Sequence, residues 1–404
     1  MTTLAIGQQL EVTAERLAYG GFAVARHDGL ALFVPFAAPG DRLVVEVTEL
    51  HDRHGKARIV EVLASSPHRR APRCRHFADC GGCQFQHVDY QEQLRQKAEF
   101  VRDALLRTGG FEFAQPIEVR HAAEWGYRAR TQLKVHYRQL GFHRLFTNEI
   151  VEIEECPVLA APLEQALPEL RAALAALRDD QRVHQVEGAC GHGGASWAPD
   201  LPGVRKDLVE HRVLGFRYFV EPESFFQGNH LLVDELVRHA TADPAGGENG
   251  GTHANGGARS GVAFDLYAGV GLFTLPLSRR FARVVAVEDE RRAATLGRVN
   301  TKQNGCDNVH YFRETTERFL QQNKERPDLV LIDPPRVGAK SALKALLALR
   351  APCFVYVSCD PNTLARDLKT LCTGGYAIES VVAFDMFPQT FHVETVAHLR
   401  WSGP

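Results

Sequence analysis

One pattern restricts the fold more than any other: from residue 262 onward, short apolar strands alternate with turns and helical stretches. The strands are almost entirely apolar, as expected for strands of a parallel sheet that is covered on both faces. Repeated units of strand, turn and helix are typical of doubly wound α/β domains. We therefore assign residues 221–404 to a Rossmann-like α/β domain.

The first strand of this domain runs into a glycine-rich turn. Gly269 and Gly271 allow the backbone to approach a ligand at the carboxyl end of the strand. The next strand ends at Glu288, which is placed to accept hydrogen bonds from a ribose. Thr274 stands where a dinucleotide-binding turn has its third glycine, which favours S-adenosylmethionine over NAD. An NAD-dependent oxidoreductase remains an alternative.

Three residues at or after later strands suggest a specific reaction. Asp333 and Cys359 each follow an apolar strand, and Glu394 lies 35 residues beyond Cys359. A thiolate that adds to carbon 6 of uracil makes carbon 5 nucleophilic, and a carboxylate then removes the proton from carbon 5. Cys359 and Glu394 suit these two roles, although a lone cysteine after a strand is more often a small buried hydrophobic residue.

Three of the nine cysteines are clustered in the sequence. Cys74, Cys80 and Cys83 lie within ten residues, and Cys156 is the natural fourth ligand. Three close cysteines and one distant one favour an iron–sulfur cluster. Zinc sites more often combine two close pairs, so zinc is the weaker alternative. The proposed reaction needs no redox step, so we expect a structural role for the cluster.

The amino-terminal part indicates RNA binding. Residues 1–63 contain five strand-like segments separated by turns, which predicts a small OB-like β-barrel. Residues 51–150 carry 17 Lys and Arg against 11 Asp and Glu, although the whole chain has a net charge of −2. Basic and aromatic residues alternate at 127–130 and 141–144, which suits phosphate contact and base stacking. A solvated charged surface accounts for them equally well.

The chain resembles two known families at particular motifs. Residues 17–25 and 34–41 resemble a TRAM domain, which implies RNA binding. The motifs that resemble the RNA uridine-5-methyltransferase (TrmA/RumA) family lie at 224–229, 265–267, 333–336, 358–368 and 392–396. This resemblance implies a methyltransferase that uses S-adenosylmethionine to methylate uridine in RNA.

The resemblance also assigns roles to residues. It implies that Gln227, Tyr267, Glu288 and Asp333 contact the cofactor, that Cys359 is the nucleophile and that Glu394 is the base. The four cysteines resemble the ligands of the 4Fe–4S cluster in the RumA branch. A chain with both a TRAM-like domain and this cluster is similar to that branch, which favours large-subunit ribosomal RNA over transfer RNA as the target.

The chain departs from the family pattern at four places. Leu272 replaces a frequent polar residue, so only its backbone can serve the cofactor, and Glu314-Thr315-Thr316 replaces a frequent Gly-Asp-Ala. Gln389 stands where histidine is frequent, and Asp360 where asparagine is frequent. None of these changes removes the nucleophile or the base. A non-catalytic RNA-binding protein with the same fold remains a further alternative.

We thus expect three parts: the barrel (1–63), a central α+β domain carrying the cluster (64–220) and the methyltransferase domain (221–404). A helix at about 90–107 can pack on the methyltransferase domain despite its position in the sequence. The glycine-rich residues 245–261 are expected to form a flexible surface loop. No apolar run approaches the about 20 residues of a membrane-spanning helix, and the start lacks a secretory signal. We expect a monomeric cytoplasmic enzyme.

Overall fold

A computed structural model describes residues 4–113, 116–178, 182–242 and 260–403. The amino-terminal residues form a closed five-stranded barrel in the order β1-β2-β3-β5-β4. Alternate residues of β1 point inward, which is why Leu10, Val12 and Ala14 are buried. The predicted barrel is therefore confirmed. Its strands are β1 (Gln9–Leu17), β2 (Phe22–His27), β3 (Leu30–Pro35), β4 (Arg42–Leu50) and β5 (His54–Ala64).

A helix, α1 (Tyr90–Ala104), follows the barrel and continues as a π-helical turn at Leu105–Gly109. The next strand, β6 (Glu118–Arg120), belongs to the carboxyl-terminal sheet. The elements that come next in the sequence form a five-stranded antiparallel sheet in the order β11-β10-β7-β8-β9. Its elements are β7 (Arg130–His136), β8 (Gln139–His143), β9 (Ile150–Glu152), α2 (Ala161–Gln165), α3 (Leu167–Ala175), β10 (Gln185–Gly191) and β11 (Gly194–Ala198).

The carboxyl-terminal domain is an eight-stranded sheet in the order β16-β15-β14-β17-β18-β20-β19-β6. The five neighbouring strands β16, β15, β14, β17 and β18 run parallel to one another, and β20 is antiparallel to its neighbours β18 and β19. The predicted Rossmann-like fold is confirmed. Its elements begin with the hairpin β12 (Val209–Val213) and β13 (Phe216–Val220), and continue with α4 (Val233–Ala240), β14 (Val262–Leu266), α5 (Thr274–Ser278), β15 (Arg283–Val287), α6 (Arg291–Gln303), β16 (Val309–Phe312), α7 (Thr316–Gln322), β17 (Leu329–Ile332), α8 (Leu343–Leu349), β18 (Cys353–Ser358), α9 (Pro361–Thr373), β19 (Tyr376–Phe384) and β20 (Glu394–Trp401).

Parts of the range 64–220 pack on the carboxyl-terminal sheet, including the helix at about 90–107, for which this packing was expected. Val101 and Leu105 share a hydrophobic core with the carboxyl-terminal sheet, and β6 pairs in parallel with β19. The hairpin β12–β13 packs its apolar side, including Tyr218, into the core on the other face of that sheet. The physical reason is burial, because a short strand and an amphipathic helix need a larger sheet against which to bury their apolar side chains.

Two expectations from the sequence concern the glycine-rich loop and membrane-spanning helices. The predicted loop at 245–261 lies outside the described residues, apart from Ser260 and Gly261. Among the residues that the structure describes, there is no helix both long and apolar enough to cross a membrane.

Candidate active site

Five of the predicted site residues meet at one edge of the carboxyl-terminal sheet. Tyr267, Glu288, Asp333 and Cys359 directly follow the last residues of β14, β15, β17 and β18. Glu394 is the first residue of β20, which runs antiparallel to β18 and pairs Thr395 with Ser358. Cys359 and Glu394 are therefore neighbours across two paired strands, although 35 residues separate them in the sequence.

The glycine-rich turn after β14 is fixed by side chains from other elements. Its left-handed conformations, with φ of 54° at Gly269 and 95° at Gly271, explain why glycine occupies these positions. The Asn300 amide donates to the Val270 carbonyl at 3.0 Å, and the Tyr311 hydroxyl donates to the Gly269 carbonyl at 3.2 Å. These bonds fix the conformation of the turn.

Leu272 and Thr274 complete this turn. The Leu272 carbonyl accepts a hydrogen bond from the buried hydroxyl of Tyr218 at 3.1 Å, so the backbone at this position is already fixed by the protein. Thr274 is buried and donates its hydroxyl to the Asp265 carboxylate. The residue that replaces the third glycine of a dinucleotide turn therefore binds an acidic side chain.

Glu288 borders a cavity suited to a nucleoside. Its two carboxylate oxygens accept backbone N–H groups of Gly269 and Glu290, both at 2.8 Å, which fixes the side chain beside the turn. A cavity of about 230 Å³ opens next to it. The walls of the cavity are formed by Tyr267, Val287, Glu288, Asp289, Thr315, Thr316, Glu317, Pro335, Val337, Gly338 and Ser341.

Two acidic side chains near the turn resist ionisation. Burial, with the negative charge of Glu288, raises the pKa of Asp265 to about 7. Burial, with the charge of Asp265, raises the pKa of Asp333 to about 7. One carboxylate oxygen of Asp265 is buried with no hydrogen-bond partner. A positively charged ligand at this edge of the sheet would compensate these carboxylates.

Cys359 and Glu394 influence each other electrostatically. Burial and the neighbouring charge of Glu394 raise the pKa of the Cys359 thiol to about 12, while Arg336 opposes this shift through its charge and a hydrogen bond. Burial and the charge of Asp333 raise the pKa of Glu394 well above its usual value. Both shifts favour the protonated groups, and Arg336 is the positive group that favours the thiolate.

The segment that leads to Glu394 is held by helix α1. The fully buried Lys97 ammonium pairs with the buried Asp385 carboxylate at 2.5 Å and donates to the Phe387 carbonyl at 3.0 Å. The Tyr90 hydroxyl donates to the other Asp385 oxygen at 2.9 Å. Helix α1, which lies far from this segment in the sequence, thus fixes the backbone that precedes the candidate base.

Gln389 connects the same segment to the cysteine-rich region. Its carbonyl accepts the backbone N–H groups of Gln84 and Phe85, both at 2.9 Å, directly after Cys83. Its side chain accepts from Gln93 at 3.0 Å and donates to Glu124 at 2.8 Å. Gln389 is fully buried in a left-handed conformation (φ 69°), so the surrounding contacts define its position.

The four cysteines predicted to bind a cluster line a single cavity, together with Arg128, Phe142 and Ile153. All four are free thiols. The Gly82 N–H donates to the Cys80 sulfur at 3.4 Å, and burial raises the pKa of Cys83 and of Cys156 to about 12. Within the described ranges, no set of three or more His, Cys, Asp or Glu side chains is already arranged to hold a metal ion.

Comparisons with known proteins agree with this geometry. The family model described as tRNA (Uracil-5-)-methyltransferase matches residues 252–401, and a TRAM domain model matches residues 4–60. The 23S rRNA (uracil(1939)-C(5))-methyltransferase RlmD of Salmonella typhi is 34% identical to this chain over 93% of the chain and 92% of that protein. An uncharacterized RNA methyltransferase of Aquifex aeolicus is 31% identical over 97% and 98%. The chain belongs to the RNA uracil-5-methyltransferase family.

A solved structure extends the comparison to the fold. The tRNA (uracil-54, C5)-methyltransferase of Pyrococcus abyssi, in complex with S-adenosyl-L-homocysteine, covers 96% of this chain and 100% of that chain, with a TM-score of 0.73 and 26% identity. Membership of the uracil-5-methyltransferase family favours S-adenosylmethionine over the NAD alternative that the glycine turn left open.

In this uracil-5-methyltransferase, two residues that were predicted to contact the cofactor or the RNA, Gln227 and Tyr127, lie away from the glycine turn and from the surface. Gln227 is buried and lines a separate cavity with Phe226, His211 and Gly191. Tyr127 is not an exposed stacking residue, because it is buried and its hydroxyl donates to the Pro388 carbonyl at 2.9 Å. The alternation of aromatic and basic residues at 127–130 therefore contributes to the core as well as to the surface.

Several residues that shape the site were missed by sequence reasoning. Asn300 and Tyr311 hold the glycine turn, while Lys97 and Gln93 hold the segment before Glu394. Each is a polar side chain in an ordinary helix or strand pattern, so nothing in the sequence distinguishes it from a surface residue. Gln389 gave one signal, since it stands out from the surrounding family motif.

Proposed function

We propose that this protein transfers a methyl group from S-adenosylmethionine to carbon 5 of a uridine in RNA, with Cys359 as nucleophile and Glu394 as base. The observation that carries the proposal is the meeting of Cys359 and Glu394 across β18 and β20, beside the glycine turn. A thiol and a carboxylate on adjacent strands suit a reaction in which one group attacks a ring and the other removes a proton from it.

The residues divide the chemistry between them. The Cys359 sulfur, as thiolate, bonds to carbon 6 of uracil and pushes an electron pair to carbon 5, which then attacks a methyl group. The bound cofactor supplies that methyl on a positively charged sulfur. Glu394, as carboxylate, removes the proton from carbon 5, and the carbon–sulfur bond to Cys359 breaks to restore the ring. Arg336 stabilises the thiolate at the start and the end of this cycle.

The proposed cofactor site is the turn and its cavity. We assign Glu288 to the ribose hydroxyls and Tyr267 to the nucleoside, because both line the cavity, and Asp333 to the methionine end, because its buried carboxyl group favours a cationic neighbour. Gly269, Gly271 and the backbone of Leu272 form the turn that faces the ligand. Gln227 is retained on the family resemblance alone. The fit is supported by Asp265, whose unpartnered buried oxygen and raised pKa favour a cationic ligand nearby.

The preferred RNA target is 23S ribosomal RNA. The RlmD proteins of Salmonella typhi and Photorhabdus laumondii, both 34% identical to this chain, are named for uracil 1939 of that RNA. The enzyme of Pyrococcus abyssi is named for uracil 54 of transfer RNA, which keeps transfer RNA as the second candidate. A monomeric cytoplasmic enzyme is part of this proposal.

The proposal includes a 4Fe–4S cluster on Cys74, Cys80, Cys83 and Cys156. The donor set fits, because four free thiols from two distant segments line one cavity and a backbone N–H already points at one sulfur. Such a cluster would join the loop at 74–83 to the residues around Cys156. Iron and sulfide assays on anaerobically purified protein should find about four of each per chain. Zinc, or no metal, would contradict the assignment.

The proposed mechanism is tested by trapping. RNA that contains 5-fluorouridine should form a covalent adduct with the wild-type protein, because fluorine at carbon 5 cannot be removed as a proton can. Cys359→Ala should form no adduct and should not methylate RNA, whereas Cys372→Ala, on helix α9, should behave as wild type. If Cys359→Ala methylates RNA, the mechanism is wrong, and if the wild type never modifies RNA, the non-catalytic alternative is favoured.

Glu394→Gln separates the two chemical steps. This variant keeps Cys359 but lacks the carboxylate, so methylation of an ordinary uridine should proceed and the protein should stay attached to its RNA. Gel electrophoresis under denaturing conditions detects the attached RNA, and labelled methyl groups report the transfer. Free methylated RNA released at the wild-type rate would show that Glu394 is not the base.

The target is identified by mapping modified uridines. Ribosomal and transfer RNA from a strain that lacks this gene should lose a single 5-methyluridine, which we expect in the large-subunit RNA. Reintroducing the wild-type gene should restore it, and the Cys359→Ala gene should not. Loss from transfer RNA would select the second candidate.

A further inference from the structure

A barrel residue reaches the loop that carries the candidate nucleophile. Tyr19 lies in the turn between β1 and β2, and its ring contacts Phe391 and Phe100 edge-on at centroid distances of 5.3 and 6.2 Å. Its hydroxyl donates to Asp360 Oδ2 at 3.2 Å and lies 3.5 Å from the Cys359 carbonyl oxygen. The barrel therefore forms part of the wall behind the nucleophile.

Asp360 uses its two carboxylate oxygens in different directions. Oδ1 accepts the backbone N–H groups of Asn362 and Thr363, both at 2.9 Å, and so caps helix α9. Oδ2 accepts from Tyr19. Cys359 is held on one side by the last residue of β18 and on the other by this doubly bound aspartate.

The barrel that carries Tyr19 is held against helix α1. The Leu17 N–H donates to the buried Gln96 amide of helix α1 at 2.9 Å, and Arg16 pairs with Asp103 of the same helix at 3.0 Å. There is no space for a side chain at Gly21, because a Cβ there would lie 2.7 Å from Gln84 and 3.3 Å from Phe391. The position of Tyr19 is therefore set by packing on both sides of the turn.

We propose that Tyr19 is a positioning residue for Cys359, so that the barrel completes the active site as well as binding RNA. The inference rests on the proposed role of Cys359 as nucleophile. The hydroxyl fixes Asp360 and the peptide after Cys359, which keeps the sulfur beside Arg336 and at the angle needed to reach carbon 6 of uracil. A small displacement of a reacting atom is costly, because catalysis depends on near-attack geometry.

Tyr19→Phe removes only the hydroxyl and is the first test. Adduct formation with 5-fluorouridine RNA should slow by about 10-fold, while the dissociation constant for the same RNA stays within about twofold of wild type. Tyr137→Phe, at an exposed tyrosine of the central domain, is the matched control and should leave both values unchanged. An unchanged adduct rate, or a change in RNA affinity alone, would overturn the proposal.

A double-mutant cycle tests whether Tyr19 acts through Asp360. Asp360→Ser keeps a helix-capping oxygen but cannot reach the Tyr19 hydroxyl. In that background, Tyr19→Phe should cause no further loss in the adduct rate. Independent, multiplicative losses would mean that the two residues do not act together and would contradict the proposal.

Alkylation of Cys359 by iodoacetamide needs no RNA, so it separates this inference from the proposed function. The groups that face Cys359 are Arg336, Asp333, Glu394, Asp360 and Tyr19. Tyr19→Phe should weaken the contact with Arg336, so that alkylation at pH 8 slows about threefold and its pH profile moves to higher pH. Peptide mass spectrometry follows Cys359, with Cys372 as internal reference. An unchanged rate and profile would overturn the proposal even if the wild type methylates RNA.

Discussion

Asp265 is buried in the apolar strand β14, and only one of its oxygens has a partner, the Thr274 hydroxyl. Its pKa of about 7, raised mainly by burial from a usual value of 3.8, means that the folded protein favours the neutral form. Below pH 3.8, the carboxyl group is protonated in both the folded and the unfolded chain, so Asp265 does not lower the free energy of unfolding. As the pH rises from 3.8 to about 7, the free energy of unfolding falls, because Asp265 ionises in the unfolded chain before it ionises in the folded protein.

Asp265→Asn should therefore stabilise the protein at high pH. The variant cannot ionise, so at pH 8 its free energy of unfolding should exceed that of wild type by roughly 2 kcal/mol, and at pH 4 the difference should vanish. Urea unfolding at both pH values, without cofactor, measures it. A variant that is less stable than wild type at pH 8 would show that the Asp265 carboxylate is compensated within the protein.

The residues that perform the proposed chemistry are predictable in a way that their supports are not. Cys359 and Glu394 follow from the reaction, which needs a thiol and a carboxylate at strand ends. Lys97 and Gln389 follow from no such requirement, since their roles depend on which distant backbone groups they meet. The pairing of Lys97 with Asp385, 288 residues away, exists only in the folded chain.

Helix α1 forms a buried ion pair and exposed ion pairs, which should contribute very differently to the free energy of unfolding. Lys97→Met should cost about 3–5 kcal/mol of unfolding free energy, because it leaves the buried Asp385 carboxylate without its cation. Arg102→Ala, which removes a pair with Glu99 on the same helix whose two side chains are 41% and 34% exposed, should cost less than about 1 kcal/mol. Urea unfolding of both variants makes the comparison. Equal losses would mean that the Lys97–Asp385 pair is no more important than a surface pair.

Elements with local signals were predicted well and elements defined by distant pairing were not. The five barrel strands were recognisable because turns separate short alternating segments, and their predicted range of 1–63 ends close to Ala64. Strand β6 has only three residues and exists because the edge of β19 accepts it. The hairpin β12–β13 was placed with the central domain because nothing in its own sequence indicates the sheet on which it packs.

At the scale of the whole molecule, the proposed cluster and the proposed base are joined by a short path. Gln84 and Phe85 follow Cys83 directly, both donate to the Gln389 carbonyl, and Gln389 lies five residues before Glu394. A ligand that fixes Cys83 would therefore also fix the segment that presents the base. This path suggests a structural reason for a cluster in an enzyme whose reaction transfers no electrons.

Cys83→Ala tests this connection. The variant should lose its iron, melt at a lower temperature than wild type, and release methylated RNA about 10-fold more slowly, because the segment before Glu394 loses a fixed neighbour. Adduct formation with 5-fluorouridine RNA, which needs Cys359 but not Glu394, should fall less. Cys190→Ala, at a buried cysteine of strand β10 outside the cluster cavity, controls for the loss of a thiol. An iron-free Cys83→Ala protein that releases product at the wild-type rate would show that the cluster and the base are independent.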